Sequence, residues 1–171
     1  MLIAMCGLPG AGKSFLAEAL ARELGVPILS VDPIEAALRR AGVEQDQPIG
    51  LAAYIVADVL AREQLKVGSN VIVDAVNDAP EARVQWRDAA ASATTELLFI
   101  EVICSKEDLH RRRLQARERD LDGMPEPSWD SVMARAAAFV DWDQRRLVLD
   151  SAQPPSTNLA VALDYVSKQT S

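Results

Sequence analysis

Residues Gly7-Leu8-Pro9-Gly10-Ala11-Gly12-Lys13-Ser14 match the pattern G-x-x-x-x-G-K-[ST] at every fixed position. Glycines at this spacing let backbone N–H groups turn inward around a polyphosphate, and a helix starting near Lys13 points its positive dipole end at the same anion. The Lys13 ammonium would reach the β- and γ-phosphates of a nucleoside triphosphate, and the Ser14 hydroxyl would ligate Mg²⁺. Phe15 follows in the same helical turn, so the nucleotide-contacting set runs from Gly7 to Phe15. The match lies between a strand-like and a helix-like segment, the context that separates such a cradle from an ordinary glycine-rich joint.

Two carboxylates follow strand-like runs. Asp32 comes after 27–31 and Asp74 after 70–73. In an open α/β sheet, ligands collect outside the carboxyl ends of the strands. Asp32 could accept the proton of a substrate hydroxyl, and it could equally be the N-cap of a helix opened by Pro33. Asp74 could hold Mg²⁺ directly or through water, or simply end its strand.

Arg111, Arg112, Arg113, Arg117 and Arg119 fall within nine positions of a chain that is otherwise acidic. Arg113 and Arg117 are four apart and share a helix face. A Gly/Pro-rich segment follows at 120–128, so that face could close over a nucleotide, with one guanidinium on the base and another on phosphate oxygens. Arg111 and Arg112 read as a solvated face beside Glu107, Asp108 and Glu118, and His110 as a surface histidine. Trp86, Trp129 and Trp142 read as packing residues. Ser105-Lys106-Glu107-Asp108 has some likeness to a guanine-reading N-K-x-D, but as a capping box it needs no base, and Asp74-Ala75-Val76-Asn77 lacks the D-x-x-G of a GTPase switch.

These residues need a scaffold of alternating elements, and the chain supplies one. Apolar runs at 2–6, 27–31, 70–73, 96–104 and 147–149 read as strands. Helical patterns fill 14–24, 33–41, 48–67, 78–92, 105–118, 129–139 and 157–168, several stopped by Gly25, Gly42 and Gly68. Strands separated by helices throughout predict an α/β fold with a largely parallel sheet. A length of 171 residues predicts one domain, 1–171, with a short lid over about 113–128.

Composition narrows the partners. With 18 Lys+Arg against 25 Asp+Glu the net charge is −7, so the summed field repels polyanions and any phosphate site must be local. Long nucleic acid is a poor partner on that account. Cys6 and Cys104 lie far apart behind apolar runs, which fits free thiols in a reducing compartment and a cytoplasmic address. The opening apolar residues lack the basic region of a signal peptide, and no apolar run approaches the ~20 residues that span a bilayer.

Taken together, the glycine-rich loop, Ser30-Val31-Asp32, the run from Val71 to Asn77, Ala82-Arg83, Trp86-Arg87, the Arg113/Arg117 pair and Val148-Leu149-Asp150 resemble the zeta-toxin, polynucleotide-kinase and chloramphenicol-phosphotransferase group of small P-loop kinases. The resemblance covers nearly the whole chain. It implies a five-stranded parallel sheet in the order 2-3-1-4-5, a lid over ATP·Mg²⁺, and transfer of the γ-phosphoryl to a hydroxyl. By position, Asp32 resembles the general base, Arg113 the lid residue beside adenine and Arg117 the lid residue on the phosphates. Ser151 and Ala152 look like part of the adenine-holding loop. On this resemblance Lys13, Asp32 and Arg117 are the catalytic set, Ser14 and Asp74 the metal ligands, and Asp32, Glu35, Arg39 and Asn77 the acceptor-side residues.

One departure bears on the acceptor. Polynucleotide-kinase-like members carry D-x-x-R, whose arginine grips a substrate phosphate, whereas this chain reads Asp32-Pro33-Ile34-Glu35. A carboxylate there favours a neutral or amine-bearing small molecule over a phosphorylated one, although Arg39 or Arg40 stands about one turn away. The expected activity is therefore an ATP-dependent kinase of a small-molecule hydroxyl. The alternatives are a kinase of polynucleotide or nucleoside 5′-hydroxyls, and an ATP-binding regulatory or toxin-like module with weak ATPase activity.

Overall fold

Alternation in the first strand sets the layers. In β1 (Leu2–Cys6) every side chain is buried, with Leu2, Ala4 and Cys6 facing one side of the sheet and Ile3 and Met5 the other. A computed structural model describes residues 1–43, 48–116, 126–139, 142 and 144–169. In it β1 is the middle strand of a five-stranded sheet of order β2-β3-β1-β4-β5, all pairs parallel, as expected. The other strands are β2 (Ile28–Ser30), β3 (Val71–Asp74), β4 (Leu97–Ile103) and β5 (Leu147–Asp150). Register places Ile3 opposite both Ile72 and Leu98, and Met5 opposite both Asp74 and Ile100.

Helices cover both faces. On the Ile3/Met5 face lie α1 (Lys13–Leu24), through Leu16, Ala17 and Leu20, and α7 (Pro155–Ser167), through Ala162 and Val166. On the opposite face, α3 (Ile49–Lys66) buries Ala53, Ala57, Ala61 and Leu65, one residue per turn, and α4 (Pro80–Ser92) buries Trp86, Ala89 and Ala90. The small stripe of α3 lets its axis approach the sheet closely, in the same core as Val71 and Val73 of β3. Completing the order are α2 (Val31–Arg40), α5 (Glu107–Gln115), α6 (Trp129–Ala136) and a 3₁₀ turn (Ala137–Phe139).

Two element starts differ from the sequence reading. Helix α2 begins at Val31 with Ser30 as N-cap, so Asp32 occupies the first turn and is not the cap. There its charge still faces the positive end of the helix dipole. Helix α5 begins at Glu107 with Lys106 as N-cap and no side-chain cap, because the Ser105 hydroxyl and N–H both go to Asp150, across the β4–β5 edge. The capping box is legible in sequence only while Asp150 is out of sight. Both cysteines are free thiols, Cys6 buried and Cys104 partly so. Among the described residues no helix is long and apolar enough to cross a membrane.

Candidate functional site

The loop after β1 turns where only glycine is comfortable. Gly7, Gly10 and Gly12 have φ of 137°, 80° and 95°, and α1 starts at Lys13 with no side chain capping it. A Cβ on Gly7 would lie 2.3 Å from the Val102 carbonyl oxygen, and one on Gly12 3.2 Å from Ser151 Cβ. The Gly7 N–H donates to the Val76 carbonyl at 3.1 Å and the Ala11 N–H to Leu8 at 3.1 Å, which fixes both ends of the turn.

Lys13 is buried and pairs with the Asp74 carboxylate, itself buried at the end of β3. A charge pair this deep is held by its mutual attraction, and a phosphate arriving at Lys13 would compete with Asp74 for the same ammonium. Ser14 stands on the cavity wall in the next helical position. The hydroxyl of Ser14 and the carboxylate of Asp74 form an all-oxygen donor set, which fits Mg²⁺ taken through one or two protein oxygens and otherwise by phosphates and water.

A cavity of about 750 Å³ runs past this loop. Leu8, Pro9, Gly10, Gly12, Lys13, Ser14 and Phe15 line its middle, and Phe15 is 61% exposed to it and to solvent. One end is closed by Arg113, Ser151, Gln153, Pro155, Asn158 and Leu159. Arg113 donates through Nη1 to Ser151 Oγ at 2.7 Å and through Nη2 to the Ser151 carbonyl at 3.2 Å, so α5 and the β5–α7 loop are tied together. The Asp150 carboxylate accepts from Ser105 and from the Ala152 N–H at 2.9 Å. Slight burial pushes that carboxyl up, but these hydrogen bonds outweigh it and hold the group below the usual carboxylate range. Asn158 secures the same loop by donating to the Asp150 carbonyl at 2.9 Å.

The other end brings together Val31, Asp32, Glu35, Tyr54, Val76 and Arg135. Glu35 accepts from Arg39 Nη2 at 2.8 Å and Nε at 3.3 Å, so Glu35 lines the cavity while Arg39 is spent on Glu35 and does not. Tyr54 Oη accepts the Asn77 N–H at 3.1 Å, and burial pushes its phenol far above its ordinary value, which keeps it protonated. From α6, Arg135 reaches back to make two hydrogen bonds to Asp78, 2.5 Å from Nε and 2.9 Å from Nη2.

Asn77 is not an acceptor-side residue. Its side chain is wholly buried, donating to the Met5 carbonyl at 2.8 Å and accepting from Trp86 Nε1 at 2.8 Å, and its φ of 56° gives the backbone a left-handed turn. It fastens the β3–α4 loop to β1 and leaves nothing for a ligand. Its strand-end position was the only signal in sequence, and that signal does not tell a ligand contact from a fastening. His110 is likewise not a surface residue: it is buried, with Nε2 2.8 Å from the Pro9 carbonyl oxygen and its ring edge-on to Trp129 at 5.1 Å. Because Pro9 can only accept there, Nε2 is the protonated nitrogen. Arg117 and most of the expected lid, 117–125, lie outside the described residues.

Sequence reasoning missed Tyr54, Asp78 and Arg135, and gave Arg83 no role beyond its place in the resemblance. Arg83 donates from a buried position to the Asn77 and Asp78 carbonyls at 3.1 and 2.6 Å and stacks on Trp142, whose ring also carries Arg146. Tyr54, Asp78 and Arg135 sit in no motif. The 57 positions between Asp78 and Arg135 are closed only by the fold.

A family model described as an AAA domain matches residues 2–153. Among curated proteins, the uncharacterized protein Rv2004c of Mycobacterium tuberculosis is 30% identical over 168 residues, covering 91% of this chain. The chain spans about a third, 32%, of the length of the curated relatives it matches. Three solved structures share the fold. A Chloroflexus aurantiacus protein provisionally named a kinase has a TM-score of 0.80 at 19% identity, covering 98% of this chain and 97% of that one. Chaetomium thermophilum Kti12 in complex with ADP-AlF3 has 0.76 at 18%, with full coverage of both chains. A sugar kinase from Janibacter sp. has 0.72 at 18%, covering 97% and 94%.

Proposed function

The chain belongs to this AAA-domain family, and from that premise we propose that it is an ATP- and Mg²⁺-dependent kinase that moves the γ-phosphoryl group to a hydroxyl of a small molecule. The observation that carries the reading is a shared cavity. The phosphate loop with Lys13 and the Asp32 carboxylate at the β2–α2 junction open onto the same space of about 750 Å³, large enough for a nucleotide and a small acceptor side by side. The solved structures named as kinases, and Kti12 with its ADP-AlF3, agree with a triphosphate at this loop.

The proposed roles follow from position. The loop N–H groups and the α1 N-terminus bind the β- and γ-phosphates, and Lys13 transfers part of its charge interaction from Asp74 to the γ-phosphate. Ser14 and Asp74 would hold Mg²⁺, which would supply positive charge to stabilise the transferring phosphoryl group. Arg113, held by Ser151, shapes the base end with Ser151 and Ala152, and Arg117 would meet the phosphates from the lid. Asp32 orients the acceptor hydroxyl and takes its proton. Catalysis of this kind is positioning and charge stabilisation with little covalent work for the protein.

The test is an ADP-release screen with ATP·Mg²⁺ against sugars, nucleosides, antibiotics and 5′-hydroxyl oligonucleotides. Lys13→Ala should abolish ATP binding in isothermal titration, and Asp32→Asn should cut turnover at least a hundredfold while leaving ATP affinity within about twofold. ADP release that never depends on an acceptor would replace the kinase with a slow ATP-hydrolysing module. An oligonucleotide acceptor with steeply salt-dependent binding would replace the small molecule with a polynucleotide.

A further inference from the structure

We propose that His110 is a positioning residue for the nucleotide: through its hydrogen bond to the Pro9 carbonyl it holds the Gly10 N–H aimed at the β- and γ-phosphates. The proposal rests on the triphosphate reading above and adds to it a residue that stands outside the phosphate-loop motif.

A trans peptide is planar, with its C=O and N–H pointing in opposite directions. Among the described residues no peptide bond is cis, so whatever fixes the Pro9 carbonyl also fixes the Gly10 N–H. That carbonyl faces α5, where His110 Nε2 donates to it at 2.8 Å. The Gly10 N–H therefore points away from α5, on the side of the loop where Pro9, Gly10, Gly12 and Lys13 line the large cavity. Among the described residues it meets no acceptor, whereas the Gly7 and Ala11 N–H groups are spent on the Val76 and Leu8 carbonyls. A backbone donor aimed outward without a protein partner is what a phosphate oxygen requires.

The loop alone does not choose this orientation. Turning the Pro9–Gly10 peptide over changes only ψ of Pro9 and φ of Gly10, and glycine accepts either sign of φ. In this structure φ of Gly10 is 80°. The choice comes from the imidazole, which is itself firmly seated. His110 lies in the first turn of α5, with its N–H donating to the Lys106 carbonyl at 3.0 Å. It is 4% exposed, and Trp129 meets its ring edge-on at 5.1 Å. Gly10 packs against the same ring: a Cβ there would lie 3.2 Å from His110 Cδ2 and 3.2 Å from Leu114 Cα and Cβ. The histidine thus orders the peptide before a ligand arrives, and less ordering remains to be done on binding. His110 does not line the large cavity, so it acts through the Pro9–Gly10 peptide and not by touching the nucleotide.

Isothermal titration of MgATP, MgADP and AMP against wild type, His110→Phe, His110→Gln and Trp129→Leu separates the hydrogen bond from the packing. His110→Phe keeps a ring and loses the donor; Trp129→Leu keeps the donor and loses the ring contact. His110→Phe should weaken MgATP and MgADP about tenfold or more, the loss expected for a hydrogen bond to a charged group, and leave AMP within about twofold. His110→Gln should recover part of that loss, and Trp129→Leu should leave all three ligands within about threefold. In wild type, the Gly10 amide proton should move downfield in a proton–nitrogen correlation spectrum when MgADP binds and stay in place with AMP, a measurement that needs no variant to fold. The inference is overturned if His110→Phe binds MgADP as wild type does, if its loss extends equally to AMP, or if His110→Gln recovers nothing. It is also overturned if Trp129→Leu loses as much as His110→Phe, or if the Gly10 amide ignores MgADP. In each of those cases the triphosphate reading stands. If wild type binds neither MgATP nor MgADP, that reading falls and the inference with it.

Discussion

Replacing Gly7 by alanine tests the geometry of the nucleotide cradle directly. The new Cβ would sit 2.3 Å from the Val102 carbonyl oxygen and 3.3 Å from its carbon, both backbone atoms of the neighbouring strand β4. Side-chain carbons do not approach closer than 3.0 Å, so β1 and β4 would have to part by about 0.7 Å at the place where Cys6 pairs with Glu101. Forcing φ of 137° on a residue with a Cβ costs about 1–3 kcal/mol, and overpacking against an unyielding neighbour about another 1–3 kcal/mol. A control exists in the same chain. Gly25 also has positive φ, 65°, but its Cβ would meet nothing within 4 Å, so Gly25→Ala carries only the strain of a left-handed residue, about 1–2 kcal/mol. The entropy that alanine removes from the unfolded chain is the same in both variants and cancels in their difference. Taking the middle of these ranges, about 4 and about 1.5 kcal/mol, at about 2–4 °C per kcal/mol for a chain of this size, Gly7→Ala should melt about 8–16 °C below wild type and Gly25→Ala only about 3–6 °C below it. Differential scanning calorimetry reads both. Equal melting temperatures for the two variants would refute the close approach of the loop to β4.

His110→Phe keeps a ring beside Trp129 but strands the Pro9 carbonyl, which should cost about 1–3 kcal/mol in urea unfolding and weaken ATP binding; His110→Gln, which can restore the donor, should recover part of both. A thiol reagent at pH 8 should modify Cys104 promptly and Cys6 only as fast as the protein unfolds, because burial pushes the Cys6 thiol far above its ordinary value; two equally fast thiols would contradict this. Burial pushes the Asp78 carboxyl up, but the hydrogen bonds and charge of Arg135 outweigh it and hold it below 3.8. The stability from that pair is therefore complete above pH 4 and lost as the pH falls through the lowered value, so Asp78→Asn should flatten the acid limb of a stability–pH curve below pH 4 and leave the alkaline limb unchanged.

Local signals carried the strands, the phosphate loop and the order of elements, because each is a property of neighbouring residues. Leu2–Cys6 followed by glycine, or Val71–Asp74 after a helix-ending Gly68, states its own structure. The polar network was not legible for the opposite reason. Asn77 has the same sequence context whether it reaches a ligand or fastens Trp86 to β1, and only the burial of Trp86 decides. His110 among three arginines has the composition of a wet face. The helix turns that one position inward while Arg111 and Arg112 stay exposed. Arg135 belongs to a helix whose hydrophobic pattern says nothing about a carboxylate 57 positions earlier.

The contact of His110 with Trp129 also bears on how this fold can diversify. It joins the start of α6 to α5, so the two ends of the segment between Gln115 and Trp129 are held together. Closing such a loop costs entropy that grows only as the logarithm of its length, about 0.6 kcal/mol for each doubling. Insertions and deletions there are thermodynamically cheap, and neither the phosphate loop nor Arg135 need move to accommodate them. The length of that segment is thus free to vary while the two ends of the cavity stay in register.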